Sequence, residues 1–168
     1  MGTENSFISQ TLSVVVAGIV KDCSVLLLKR NKEPYKDLWS LPGGKIEYGE
    51  FASEAIKREV LEETSLELSS IKYMGVVCEK VMTNLTVFAS HLIMIFLCEP
   101  YSQNIVISDE GLLQWYNKAE IADMENIIIP TDFKIINDII FEHIEGMFNC
   151  NVRMHDGKYY IKDFIKAK

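Results

Sequence analysis

The stretch "REVLEETS", Arg58 to Ser65, decides how this chain is read. It places Glu59, Glu62 and Glu63 close together on a predicted helix, and like charges three or four residues apart destabilise a helix by roughly 0.2–0.5 kcal/mol per pair. Either a solvated face accepts that repulsion or a cation removes it. At about 100° per residue the helix geometry separates the two cases. Over a helix of about residues 51–64, Ala52, Ala55, Ile56, Glu59, Glu62 and Glu63 share one side. Ser53, Glu54, Lys57, Leu61 and Thr64 share the other. The acids thus prolong the stripe used for packing in the first turns, while the apolar Leu61 is sent outward. Carboxylates beside a core are costly unless paired or bound to metal. Clustered carboxylate oxygens are also what a hard divalent ion such as Mg²⁺ or Mn²⁺ prefers. Arg58, four residues before Glu62, can hold that carboxylate in place.

Just upstream, Pro42-Gly43-Gly44 forms a constrained turn followed by two residues free in their dihedrals, which lets backbone approach a ligand or ion closely. Glu50 sits near the helix start, where a carboxylate favours the exposed amides. Further out, apolar runs around 13–20 and 24–30 flank "KDC" and predict two strands joined by a tight turn. Residues 31–44 are rich in turn formers and predict a loop. Strands are predicted near 71–81, 86–98 and 112–116 from their β-branched and aromatic content. A short helix is predicted around 118–123 and a longer one around 131–145, capped by Thr131 or Asp132. Asp156-Gly157 lies between two alternating runs and predicts a hairpin turn. Strands interleaved with a few helices predict an α/β fold, with a mixed central sheet covered by helices.

The length of 168 residues suits one domain, spanning 1–168, with neither repeat nor linker. The longest apolar runs, "VVVAGIV" and "LIMIFLC", are too short to cross a bilayer as helices, so no membrane partner is expected. The N-terminal "MGTENSFISQ" lacks a basic segment followed by an apolar one, so no secretory signal is expected. Cys23, Cys78, Cys98 and Cys150 are widely spaced and read as buried thiols of a reducing cytoplasm. A net charge of −7 argues against broad nucleic-acid binding. Small anionic ligands stay open if a divalent metal bridges the repulsion.

Taken together, Gly44, Glu50, Arg58, Glu59, Val60, Glu62, Glu63 and Leu66 resemble, at every spacing, the motif of the MutT-like Nudix hydrolases. One position departs. Ser65 stands where the family has its second glycine, just past the helix, where a left-handed residue is common and a side chain costs on the order of 1 kcal/mol. The resemblance implies an α/β/α sandwich. It also implies Mg²⁺- or Mn²⁺-dependent hydrolysis of a nucleoside diphosphate linked to another group, by water attack at phosphorus. Glu59 and Glu63 would be the main metal ligands, with Glu62 assisting and the Gly43 carbonyl as an extra ligand. Arg58 would orient a glutamate, and Glu50 would steady the loop. The general base falls on Glu110, ahead of Trp115 in "ISDEGLLQWY", or on Glu59 or Glu62.

Arg30 and Lys29, at the end of the second strand, can meet phosphates, and Lys45 and Gly44 lie within the motif. Trp39 and Tyr35 can stack on a base or pack on the core. ADP-ribose-like and nucleoside triphosphate substrates both remain open. The competing class is a Nudix-fold regulator that binds a nucleotide without cleaving it. His91, His143 and His155 have no ligand spacing and read as packing or surface residues. The apolar face of the helix over 131–145 suits the sheet, with a homodimer contact as a further option.

Overall fold

In a computed structural model, residues 10–84, 86–105 and 111–168 are described. Strand β1 (Leu12–Lys21) is central. It runs parallel to β6 (Thr86–Pro100), from Leu12 opposite His91 to Ile19 opposite Cys98. Its other edge is shared. Val14–Val16 pair antiparallel with β4 (Gly43–Lys45), while Val20 and Lys21 pair with β2 (Ser24–Arg30). Among the described residues the sheet order is β3-β2-β1-β6-β5-β8-β9, with β4 on β1 and β7 on β2. The remaining strands are β3 (Trp39–Ser40), β5 (Leu68–Thr83), β7 (Gly111–Asn117), β8 (Gly146–His155) and β9 (Lys158–Lys166). Parallel pairs (β1 with β6, β5 with β8) and antiparallel ones coexist, so the sheet is mixed.

β1 reads as an unbroken apolar run because both of its faces are covered. Val15, Ala17 and Ile19 lie with Leu26, Leu28 and Phe96 under Ala55, Ile56 and Val60 of α1 (Ala52–Thr64). Val16 belongs to the opposite face, with Val25, Leu27, Val77 and Ile95. Ile135, Ile136, Ile139 and Ile140 cover that face from α3 (Pro130–Ile135) and the π-helical stretch Ile136–Ile140 that continues it. Gly18 allows the approach, since a Cβ there would come within 2.5 Å of Ile140 Cδ1. Helices on both faces make the α/β/α layering.

Several elements depart from the sequence reading. Residues 31–44 contain the short strands β3 and β4 rather than loop alone. The helix expected to reach 145 ends at Ile140. Neither Thr131 nor Asp132 caps α3: Ile129 precedes it, Pro130 opens it, and both polar side chains turn inward. The short helix α2 (Lys118–Ala122) and the β8–β9 hairpin stand where expected. Among the cysteines, Cys98 and Cys150 are buried but Cys23 is exposed, at the β1–β2 turn where its φ is 63°. No helix of the described residues is long and apolar enough to cross a membrane.

Candidate active site

The site is built on the first half of β1, on β4 and on α1. Glu54 Oε2 accepts from the Phe51 amide at 2.9 Å and so fixes the start of α1. At its end Ser65 is left-handed, at φ 58°, and donates its amide to the Leu61 carbonyl. Leu61 is 51% exposed, as the helix geometry requires. Thr64, expected on the outer side, is instead fully buried, and its hydroxyl donates to the Val60 carbonyl at 2.6 Å. The buried stripe of α1 therefore runs through Ala55, Ile56, Val60 and Thr64, with Glu59 and Glu63 along its margin.

Arg58 organises the acids. Its Nε donates to Glu50 Oε1 at 2.9 Å, and Nη2 donates to Glu50 Oε2 at 3.0 Å and to the Lys45 carbonyl at 3.1 Å. Nη1 donates to Glu59 Oε1 at 2.8 Å and Glu62 Oε2 at 3.2 Å. A guanidinium has five N–H donors, and each has an acceptor here. These hydrogen bonds, from Glu50 first and Glu59 second, raise the Arg58 pKa well above its ordinary value. The same pairing, helped by the Glu47 amide, holds the Glu50 carboxyl below its ordinary value.

The glutamates differ in exposure. The Glu59 side chain is 14% exposed and that of Glu62 is 58% exposed. Glu63 Oε2 accepts the Gly43 amide at 2.8 Å. Gly43 sits opposite Val16 in the antiparallel register, flanked by the Ala17 N–Pro42 O bond. Alternation in such a ladder turns the polar groups of Gly43 away from β1 and toward α1. Gly44 has a separate role. A Cβ there would lie within 2.6 Å of Glu59 Oε2, so only glycine lets that carboxylate lie against the strand.

Among the described residues no three acid, imidazole or thiol side chains already converge on one point. Glu59 turns to Arg58, and Glu63 to Gly43. The donor set nonetheless fits a hard divalent ion: half-buried carboxylates one helical turn apart, beside a glycine cradle that a side chain would fill.

The expected substrate contacts are spread out. Trp39 is a correction: it is 6% exposed, lies in the core, and meets Tyr116 edge-on at 5.1 Å. Tyr35 packs on Tyr159, with centroids 4.4 Å apart. The Lys45 side chain is exposed while its carbonyl binds Arg58. Arg30 ends β2 half-buried, its Nε on the Pro34 carbonyl at 3.0 Å. Glu110 lies outside the described residues.

The sequence reading missed a buried polar cluster on the other face. Glu79, 4% exposed, accepts from the Thr131 hydroxyl and meets His91 Nδ1 at 2.6 Å. His91 is thus an acid's partner rather than plain packing. Asp132, 7% exposed, accepts the Leu41 amide at 2.9 Å. The strand period carried a signal: Glu79 shares its side of β5 with buried Val77 and Val81.

The family model described as the NUDIX domain matches residues 11–138. The chain belongs to the Nudix family. A Nudix hydrolase of Bacillus subtilis, YvcI, is 30% identical over 118 residues, covering 69% of this chain and 71% of that protein. The ADP-ribose pyrophosphatase of Methanocaldococcus jannaschii is 49% identical over 55 residues, about a third of each chain (32%). An 8-oxo-dGTP diphosphatase of Buchnera aphidicola is 32% identical over 62 residues, 36% of this chain and 48% of that one. In fold, this Nudix protein is similar to the MutT protein of Bacillus halodurans, with a TM-score of 0.74, 22% identity and coverage of 92% and 96%. β8 and β9 lie beyond the span matched by the family model and complete the same sheet.

Proposed function

We propose that this Nudix protein hydrolyses the diphosphate linkage of a nucleoside diphosphate joined to a second group, ADP-ribose-like or a nucleoside triphosphate. The observation that carries this reading is the Arg58 fan, which gathers Glu50, Glu59 and Glu62 around one guanidinium beside the Gly43–Gly44 strand. An arginine with every donor committed is a fixed scaffold, and the acids on it are held ready rather than dispersed in solvent.

In this reading Glu59 and Glu63 hold Mg²⁺ or Mn²⁺, with Glu62 assisting and the Gly43 carbonyl as a further ligand. When bound, such an ion supplies charge neutralisation on phosphate oxygens and lowers the pKa of a coordinated water. The chain's own residues do the rest. Arg58 fixes the Glu59 carboxylate, and Glu50 fixes Arg58. Gly44 keeps the strand low enough for phosphate to approach. Glu110 takes the proton from the attacking water, with Glu62 and Glu59 as the alternatives for that base. Arg30 and Lys45 meet the outer phosphates. The full chain acts as one domain in the cytoplasm.

A substrate panel with Mg²⁺, including ADP-ribose, 8-oxo-dGTP and unmodified triphosphates, tests the proposal. Release of nucleoside monophosphate is the expected result. Binding without release would favour a nucleotide-binding regulator. Replacing Glu110→Gln is expected to depress turnover strongly with metal uptake intact, and near-normal turnover would remove it from the mechanism.

A further inference from the structure

We propose that Asp132 is a positioning residue for the catalytic glutamates, acting across the fold through the Leu41 amide on the segment that carries Gly43 and Gly44. The inference rests on the role given above to Glu59 and Glu63.

The segment 39–45 is laced to two different partners. Its first part pairs with the strand-like residues 127–129: the Trp39 amide donates to the Ile127 carbonyl and the Ile129 amide to the Trp39 carbonyl, each at 2.8 Å. Its second part pairs with β1, starting from the Ala17 amide on the Pro42 carbonyl at 2.8 Å. Leu41 lies at the handover. A parallel ladder continued by one step would send its amide to the Ile129 carbonyl. That carbonyl instead turns into the first turn of α3, where it accepts Phe133 N at 2.9 Å, and the Leu41 amide does not donate to it.

Leu41 is 4% exposed, so its amide would be buried without an acceptor. Asp132 Oδ2 supplies one at 2.9 Å. The position is an expensive place for an acid, being itself buried and near the buried Glu79. The one described hydrogen bond of its carboxylate goes to the segment that the site depends on. Two residues beyond Leu41, the Gly43 amide holds Glu63. One further on, Gly44 lies against Glu59 with no room for a side chain. A displacement at Leu41 therefore passes through the bend at Pro42 into the glycines that hold both proposed metal ligands, and small misplacements at a reacting centre are costly in rate.

Two variants separate this role from its alternatives. Asp132→Asn keeps a carbonyl oxygen where Oδ2 stands, whereas Asp132→Leu fills similar volume with no acceptor. In metal-free protein without substrate, amide hydrogen exchange followed by NMR is expected to be at least tenfold faster at Leu41 and Gly43 in the Leu variant. Exchange at Val60 in α1 should be unchanged, and the Asn variant should stay within about threefold of wild type at every site. In turnover, the Leu variant is expected to lose at least tenfold in kcat with KM within twofold, and the Asn variant to be rescued. Should D132L not fold, Asp132→Ser, whose hydroxyl is too short to reach Leu41, takes its place. Unaltered exchange at Leu41 and Gly43, or equal losses in kcat for Asn and Leu, would overturn the proposal. A rise in KM alone would do the same, making Asp132 a substrate contact. If wild type cleaves nothing, the exchange arm still decides the tether, and only the catalytic reading fails.

Discussion

Arg58 shows at the scale of one residue why its side chain has no substitute. Five donors in a rigid fork meet two oxygens of Glu50, one each of Glu59 and Glu62, and the Lys45 carbonyl. A lysine ammonium offers three donors from a single point and cannot span that set. Arg58→Lys should therefore lower turnover by roughly 10–100-fold, the usual loss when a partner that orients metal ligands is removed. Steady-state kinetics at saturating Mg²⁺ would check it, and unchanged turnover would show that the fan is ornamental. Ser65 poses the opposite case. It holds a left-handed conformation at φ 58°, which a Cβ disfavours by roughly 1–2 kcal/mol. Ser65→Gly should stabilise the chain by about 1 kcal/mol in urea denaturation, since glycine adopts that conformation without strain. A loss of stability would mean that the serine makes a compensating contact.

At the scale of elements, α3 meets the 39–45 segment through a buried acid, and that contact has a pH signature. Burial pushes the Asp132 carboxyl up to about 7; the Leu41 amide opposes the shift, Glu79 adds to it and Arg30 opposes it. In the unfolded chain the same group titrates near about 3.9. Between these values the folded chain keeps a proton that the unfolded chain releases, so this residue's contribution to stability falls as pH rises from about 4 to about 7. Asp132→Asn removes the titration. Its stability relative to wild type should grow across that window, by up to about 4 kcal/mol. Denaturation series at several pH values would read this directly, and a flat difference would contradict it.

The same elements show what could be read in advance. α1 was legible because helical period, acid spacing and the outward Leu61 agree with one another, although Glu62, read onto the packing side, is 58% exposed. β1, β2 and the β8–β9 hairpin were legible from apolar runs and an Asp-Gly turn. Trp39 was not, because a loop aromatic gives no local sign of whether it faces ligand or core; β3 pairing with β2 turned it inward. Thr64 misled because the buried stripe at the end of α1 shifts toward Leu66, which only the tertiary packing reveals. The Leu41–Asp132 bond joins residues 91 apart, a separation that no sequence period can report.

For the molecule as a whole, a mixed sheet with helices on both faces leaves β1 to do two things. One of its faces packs under α1, and its edge carries the glycine strand against which α1 sets its acids. The net charge of −7 makes the bare surface unattractive to a diphosphate, and a cation bound at α1 would reverse the local sign. Saturating Mn²⁺ should then raise the thermal midpoint of wild type, because a ligand that binds only the folded state stabilises it by mass action. The most direct test is isothermal calorimetry of Mn²⁺ and Mg²⁺ into the metal-free chain, alongside Glu59→Gln and Glu63→Gln. Saturable uptake by wild type that each substitution weakens by at least tenfold is the expected result. No uptake by wild type, or uptake indifferent to both substitutions, would contradict the account.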